Sequence, residues 1–216
     1  LALLGKAFSN LVHGHFDEEM ARGALAHPTP GAFDAMVKHG LRPHYWDESK
    51  LLVEVLSSFG ERLVTPLIES FHAELAFFPE HEPFYAGKLK HEHATIARIL
   101  VKAPLPAFTD LFLSFFNLRE GFSEALLYHY KRLLDVVGKT QSPLLVEPLT
   151  DLLRFEKHIL GGDTAFMKKA FKAIGQLGSK ADAAVLASRF DVSAEMRTGV
   201  ADAYHGAIAR LAKKKT

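Results

Sequence analysis

A chain breaker followed by the start of an apolar helix recurs at Pro28, Pro66, Pro106, Pro143 and Ala183, a nearly constant spacing of roughly 40 residues. Gly60, Gly138 and Gly178 stand on the same period, the first two separated by two repeats and the last two by one. Leu63-Val64-Thr65-Pro66-Leu67-Ile68 and Thr140-Gln141-Ser142-Pro143-Leu144-Leu145 are near copies in chemistry. A repeat of this length has room for two helices of roughly 15 residues and two turns. Such a pair cannot bury its apolar faces alone, so it must stack on the next pair before a core exists.

Within each unit the apolar residues recur at steps of three and four, and period-2 alternation is nowhere sustained, which predicts an all-α chain. Leu3, Leu4, Ala7, Phe8, Leu11 and Val12 form one stripe, and Leu51, Leu52, Val55, Leu56 and Phe59 another. Phe122, Leu126, Tyr130, Leu133 and Val137 repeat the pattern, as do Met196, Val200, Ala203, Ala207 and Leu211. Ser49, Asp163 with Thr164, and Ser193 offer capping oxygens ahead of such stripes. Gly40, Gly60, Pro79, Gly87, Gly138, Gly161-Gly162 and Gly178 mark the breaks.

The stretch Phe166-Met167-Lys168-Lys169-Ala170-Phe171-Lys172-Ala173-Ile174-Gly175-Gln176-Leu177-Gly178 supplies an apolar residue, a basic one, small alanines and then Ile-Gly. Ser179 to Arg189 read as a turn and a second helix, and Glu195-Met196-Arg197-Thr198-Gly199-Val200-Ala201 starts again less than one full period after Met167. Over residues 160–212 the chain therefore resembles the HEAT-repeat family of armadillo/HEAT-like α-solenoids. The resemblance implies a right-handed α-α superhelix of about five antiparallel helix pairs. On that reading 1–216 is a single solenoid domain. Residues 1–50 are its cap or first repeat, 51–160 divergent Phe-rich repeats, 161–212 HEAT-like repeats and 213–216 a basic tail.

Composition narrows the function classes. With 48% hydrophobic and 24% charged residues the chain is that of a globular protein, and the absence of Cys removes thiolate metal sites, iron–sulfur clusters and cysteine nucleophiles. No apolar run reaches the length of a membrane span, so the expectation is a soluble, cytoplasmic protein without a membrane partner. The net charge of +1 hides an asymmetry: residues 1–130 carry 11 basic and 16 acidic side chains, residues 131–216 carry 15 and 9. The two halves could face different partners.

No hydrolase elbow, phosphate-binding glycine loop or zinc-protease motif is present. The expectation is a non-enzymatic scaffold, without cofactor, that binds a protein or peptide. In a stack of helix pairs the second helices line the groove, and their residues off the apolar stripe point into it. After Pro66 the stripe is Ile68, Phe71, Leu75 and Phe78, which leaves Glu69 and His72. After Pro106 it is Leu111, Phe112, Phe115 and Phe116, which leaves Asp110, Ser114 and Asn117. After Pro143 it is Leu149, Leu152, Leu153 and Ile159, which leaves Asp151, Arg154, Lys157 and His158. After Ala183 it is Val185, Leu186 and Phe190, which leaves Ser188 and Arg189. The groove is thus expected to run from acidic to basic.

Two enzymatic alternatives compete with the scaffold. Glu69-Ser-Phe-His72 and Asp202-Ala-Tyr-His205 have the spacing that puts a carboxylate and an imidazole on one helix face, as helical metal oxidases require. Some DNA glycosylases for alkylated purines are HEAT-like and use a basic groove, which makes nucleic acid the alternative partner. His93 shares a stripe with Leu89, Ile96 and Leu100 and reads as a core histidine. Trp46 reads as a loop residue, as does the aromatic run Phe77-Phe78-Pro79-Glu80-His81-Glu82-Pro83-Phe84-Tyr85.

Overall fold

A computed structural model describes residues 49–76, 91–117, 124–159, 163–190 and 198–214. Among these residues every regular element is an α-helix or a 3-10 turn. The stripe at Leu3 to Val12, Met196, Trp46, the aromatic run 77–85, and the breakers Pro28, Gly40, Pro79, Gly87 and Gly161-Gly162 lie outside them. So does the capping residue Ser193. The chain divides into two compact units, Leu1–Leu105 and Pro106–Thr216.

In the first unit α1 (Ser49–Ser58) is followed by a 3-10 turn at Gly60–Leu63, then α2 (Val64–Ala76) and α3 (His91–Lys102). Gly60 opens the turn at a φ of 58°, in the left-handed region where a side chain is strained. A Cβ there would meet nothing closer than Leu105 at 3.8 Å, so the backbone angle and not crowding calls for glycine. Both α1 and α2 pack on α3. Leu56, Leu63, Leu67, Ile96, Ile99 and Leu100 are wholly buried between them, and Phe71 nearly so.

The second unit contains α4 (Thr109–Asn117), α5 (Glu124–Val136), α6 (Val146–Ile159), α7 (Thr164–Leu177), α8 (Lys180–Arg189) and α9 (Thr198–Ala212). Most helices two apart in the chain pack on one another, and α6 and α8 are joined by the ion pair between Asp151 and Arg189. α7 packs between α5 and α9, and α4 meets α6, while α7 also meets α6, and α8 meets α9. Two interleaved series result, an odd one of α5, α7 and α9 and an even one of α4, α6 and α8. Rings join neighbouring helices through the core: Phe116 to Tyr130 at 5.9 Å between centroids, and Tyr130 to Phe166 at 6.5 Å. The Tyr130 hydroxyl donates to the carbonyl of Phe115, which satisfies the one polar atom that ring buries.

The repeat has a register that the breakers alone misplace. Pro66 and Pro148 are each the third residue of an α-helix that follows a 3-10 turn, whereas Pro106 and Pro143 each open such a turn. The structural counterpart of Leu63-Val64-Thr65-Pro66-Leu67 is therefore Leu145-Val146-Glu147-Pro148-Leu149, and Pro143 matches Pro106. Proline is tolerated in both places because the first turn of a helix has no acceptor waiting for its missing N–H. In the same register Leu63, Leu67 and Phe71 correspond to Phe108, Phe112 and Phe116 and to Leu145, Leu149 and Leu153, all of them buried. Leu186 of α8 and Phe190, which follows the helix, occupy the last two of these places. Phe108, Leu145 and the matching Asp182 are evenly spaced along the chain. Ala183, a breaker on the sequence reading, lies inside α8, and the break falls at Gly178-Ser179 instead.

Polar contacts between helices repeat with nearly the same offset. Lys169 donates to the Lys131 carbonyl, Arg189 to Asp151, and Lys214 to the Gln176 carbonyl, each pair 38 residues apart. Lys214 also reaches the Gly178 carbonyl, so it caps the C-terminal end of α7, where a cation is favoured by the helix dipole. One lysine of the basic run is thus bound to the fold rather than left as part of a frayed tail.

At the other end of α7 Asp163 accepts from the Phe166 amide at 2.7 Å and pairs with Lys131 at 2.7 Å. Burial raises the pKa of this carboxyl. The Lys131 hydrogen bond, the Phe166 and Ala165 amides and the Lys131 charge outweigh burial and hold it below the ordinary carboxylate range. A depressed folded-state pKa contributes stability that is complete above the unfolded pKa and is lost as pH falls through the folded one. Asp163→Ala is expected to cost about 1–2 kcal/mol at pH 7. In urea melts as a function of pH, the gap between parent and variant should narrow below about pH 4. A gap that stayed constant down to pH 2 would assign the effect to something other than the ionised cap.

Candidate interaction surface

The expected groove residues fall in both units. Glu69 and His72 are exposed on α2 of the first unit. In the second unit Asp110 and Asn117 are exposed on α4, and Arg154 is exposed on α6. Lys157 and His158 belong to α6, but their side chains lie outside the described residues, as does that of His93 in α3. The stripes left by these positions behave as expected at Phe71, Leu111, Phe112, Phe115, Phe116, Leu149, Leu152, Leu153, Leu186 and Phe190, which are all buried, while Ile68 is only half-buried. Val185 does not, because it is 43% exposed.

Asp151 and Arg189, expected as separate groove charges, are partners. The Arg189 guanidinium bonds Asp151 at 3.1 Å and lies 3.8 Å from Glu147, so α8 is tied to α6 by one cation between two carboxylates. Half-exposed pairs of this kind contribute little to stability, roughly 0–1 kcal/mol. The pairing leaves neither Asp151 nor Arg189 as an independent charge, while Arg154 stays exposed.

The exposed apolar surface is not legible in the sequence as such. Along α8, Ala181, Ala184, Val185 and Ser188 are all exposed, and their spacing of three and four puts them on one helix face. The opposite face buries Leu186. Leu144, in the turn before α6, is 67% exposed. Its neighbours Leu145 and Val146 are buried, and Pro143 begins the turn, so Leu144 is the position that the turn geometry pushes outward. The signal present in the sequence is composition: α8 reads Lys-Ala-Asp-Ala-Ala-Val-Leu-Ala-Ser-Arg, in which a single large buried residue is enough to dock the helix.

The carboxylate and imidazole pairs do not assemble further. Asp202 and His205 are exposed on α9, as Glu69 and His72 are on α2. Among the described residues no group of three or more His, Asp and Glu side chains is placed to hold a metal ion. Among the same residues no helix is long and apolar enough to cross a membrane. The chain matches no protein-family model, no curated protein and no solved structure.

Proposed function

We propose that the chain is a non-enzymatic helical-repeat scaffold, a HEAT-like right-handed superhelix of about five antiparallel helix pairs, that holds a polypeptide along the face of its even-numbered helices. Support for the stacking comes from polar contacts between helices that span nearly one repeat, with sequence separations from 32 to 38 residues and three of them at 38. The observation that carries the polypeptide reading is the outward apolar face of α8 together with Leu144. Apolar area left in water forgoes roughly 25 cal/mol per Å² of burial, which a partner's apolar side chains would recover. Small side chains at three of the four places on α8 let a partner's backbone come close, while Asp110, Asn117 and Arg154 supply polar contacts at the rim.

Leu144→Glu combined with Val185→Glu tests the proposal. Both positions are exposed, so the double variant should keep its helical circular dichroism and lose no more than about 1 kcal/mol. Polypeptides captured by the immobilised parent chain are expected to fall at least tenfold with the variant. Capture that is indifferent to both substitutions sinks the proposal.

A further inference from the structure

Charge in the second unit is sorted by helix series. Residues 124–140, 163–178 and 198–214, which hold the odd helices and their ends, carry nine Lys or Arg and four Asp or Glu. Residues 106–117, 143–159 and 179–190, which hold the even helices, carry four and five. The odd series is thus at +5 and the even series at −1. Three of the odd-series lysines are committed locally, Lys131 to Asp163, Lys169 to Asp135 at 2.5 Å, and Lys214 to the Gln176 and Gly178 carbonyls. Lys139, Lys168, Lys172, Arg210 and Lys213 are all exposed, and Arg132 lies against the ring of exposed Tyr128 at 5.7 Å.

The cations of α7 and the C-terminal run reach across to the neighbouring helix. α7 buries Phe166, Met167, Ala170, Phe171 and Ile174, and Lys168 and Lys172 stand one turn apart on the side away from them. Lys168 overlies Gly199 at the start of α9, and Lys214 returns from the end of α9 to the end of α7. The positive charge therefore crosses the seam between neighbouring helices. It is spread along helices rather than gathered in a cavity, which suits a line of anions and not a single one.

We propose that the odd-helix face of residues 124–214 binds the phosphate backbone of nucleic acid without reading its sequence. The complementarity is between cations distributed over adjacent helices and the evenly spaced charges of a duplex. Lysine predominates, and lysine meets phosphate as a mobile point charge, which favours backbone contact over base recognition. Tyr128 is the only large apolar side chain exposed on these helices among the described residues, so the face lacks the apolar wedge that would favour a lipid surface. This binding is separate from the polypeptide site on the even series, and either can fail alone.

The test is fluorescence anisotropy with the full chain and a labelled duplex of arbitrary sequence. If about five phosphates are neutralised, log K should fall against log salt with a slope of about −4 to −5, a loss of several hundredfold between about 50 and 200 mM. Lys168→Glu with Lys172→Glu and Arg210→Glu should weaken binding at least tenfold at low salt and flatten the slope. Arg154→Glu with Lys180→Glu, two exposed cations of the even series, should change it less than twofold. Undetectable binding at about 50 mM salt, equal loss in both variants, or tighter binding to phosphatidylserine vesicles or polyglutamate than to the duplex would each overturn the proposal.

Discussion

Phe171→Ala is expected to lose about 3–5 kcal/mol, a large part of the roughly 5–15 kcal/mol that holds a typical domain together. The ring is fully buried in α7. It meets Phe190 edge-on at 5.4 Å and 79°, and Tyr204 at 5.6 Å and 82°. One side chain thus joins α7 to the residue that ends α8 and to α9. Truncation removes the transfer free energy of the ring and leaves a cavity whose walls belong to three helices, which limits collapse. Each edge-to-face pair adds about 0.5–1.5 kcal/mol beyond the buried area. Urea denaturation followed by circular dichroism should show a lower midpoint with an unchanged slope. Tyr128→Ala, in which the ring removed is 56% exposed, should stay within about 0.5–1 kcal/mol of the parent. Similar losses in the two variants would contradict the contact arrangement described for Phe171.

Gly175→Ala is expected to destabilise by about 1–3 kcal/mol even though alanine is the better helix former by about 1 kcal/mol. A Cβ at Gly175 would stand 3.1 Å from the Cα of Ala207 and 3.4 Å from its Cβ. The obstacle is the backbone of α9, which cannot turn aside as a side chain can, so α7 and α9 must separate where they approach so closely. Gly206→Ala reverses the sign. Nothing lies within 4 Å of a Cβ there, the residue sits mid-helix in α9, and the gain should be about 0.5–1 kcal/mol. Thermal melts of the two variants beside the parent decide the matter. A stabilising Gly175→Ala would mean that the helices are further apart than described.

Gly175 shows how the sequence and the fold divide the information. The run Ala170, Ala173 and Gly175 in α7 signals close packing, and the resemblance to HEAT repeats rests partly on it. The sequence does not say whether α5, α6 or α9 fills the space. Gly206, equally small and equally helical, has open space beside it. The same holds for charge. Asp151, Arg154 and Arg189 are all left over by the apolar stripes on the sequence reading, yet Arg189 is bonded to Asp151 and Arg154 is exposed. Val185 follows the apolar spacing of α8 and still ends in water, because Leu186 alone takes the buried place. The spacing therefore does not reveal the exposed apolar face of α8, nor which of the charges off the stripe are paired with one another.

Helical class, the approximate repeat length, the cap at Asp163, the breaks at Gly60 and Gly178, and most of the buried positions of α4 and α6 are already written in the order of the residues. They follow from hydrophobic spacing and from backbone chemistry local to one or two turns of chain. The register of the repeat, the choice of ion partners and the sorting of positive charge onto the odd helices belong to the packed molecule alone. Spacing along one helix fixes which residues share a face, but the partner across that face comes from about one repeat away in the chain. Ion pairing and close backbone approach depend on that partner's distance to within an ångström or two, and no local pattern encodes it.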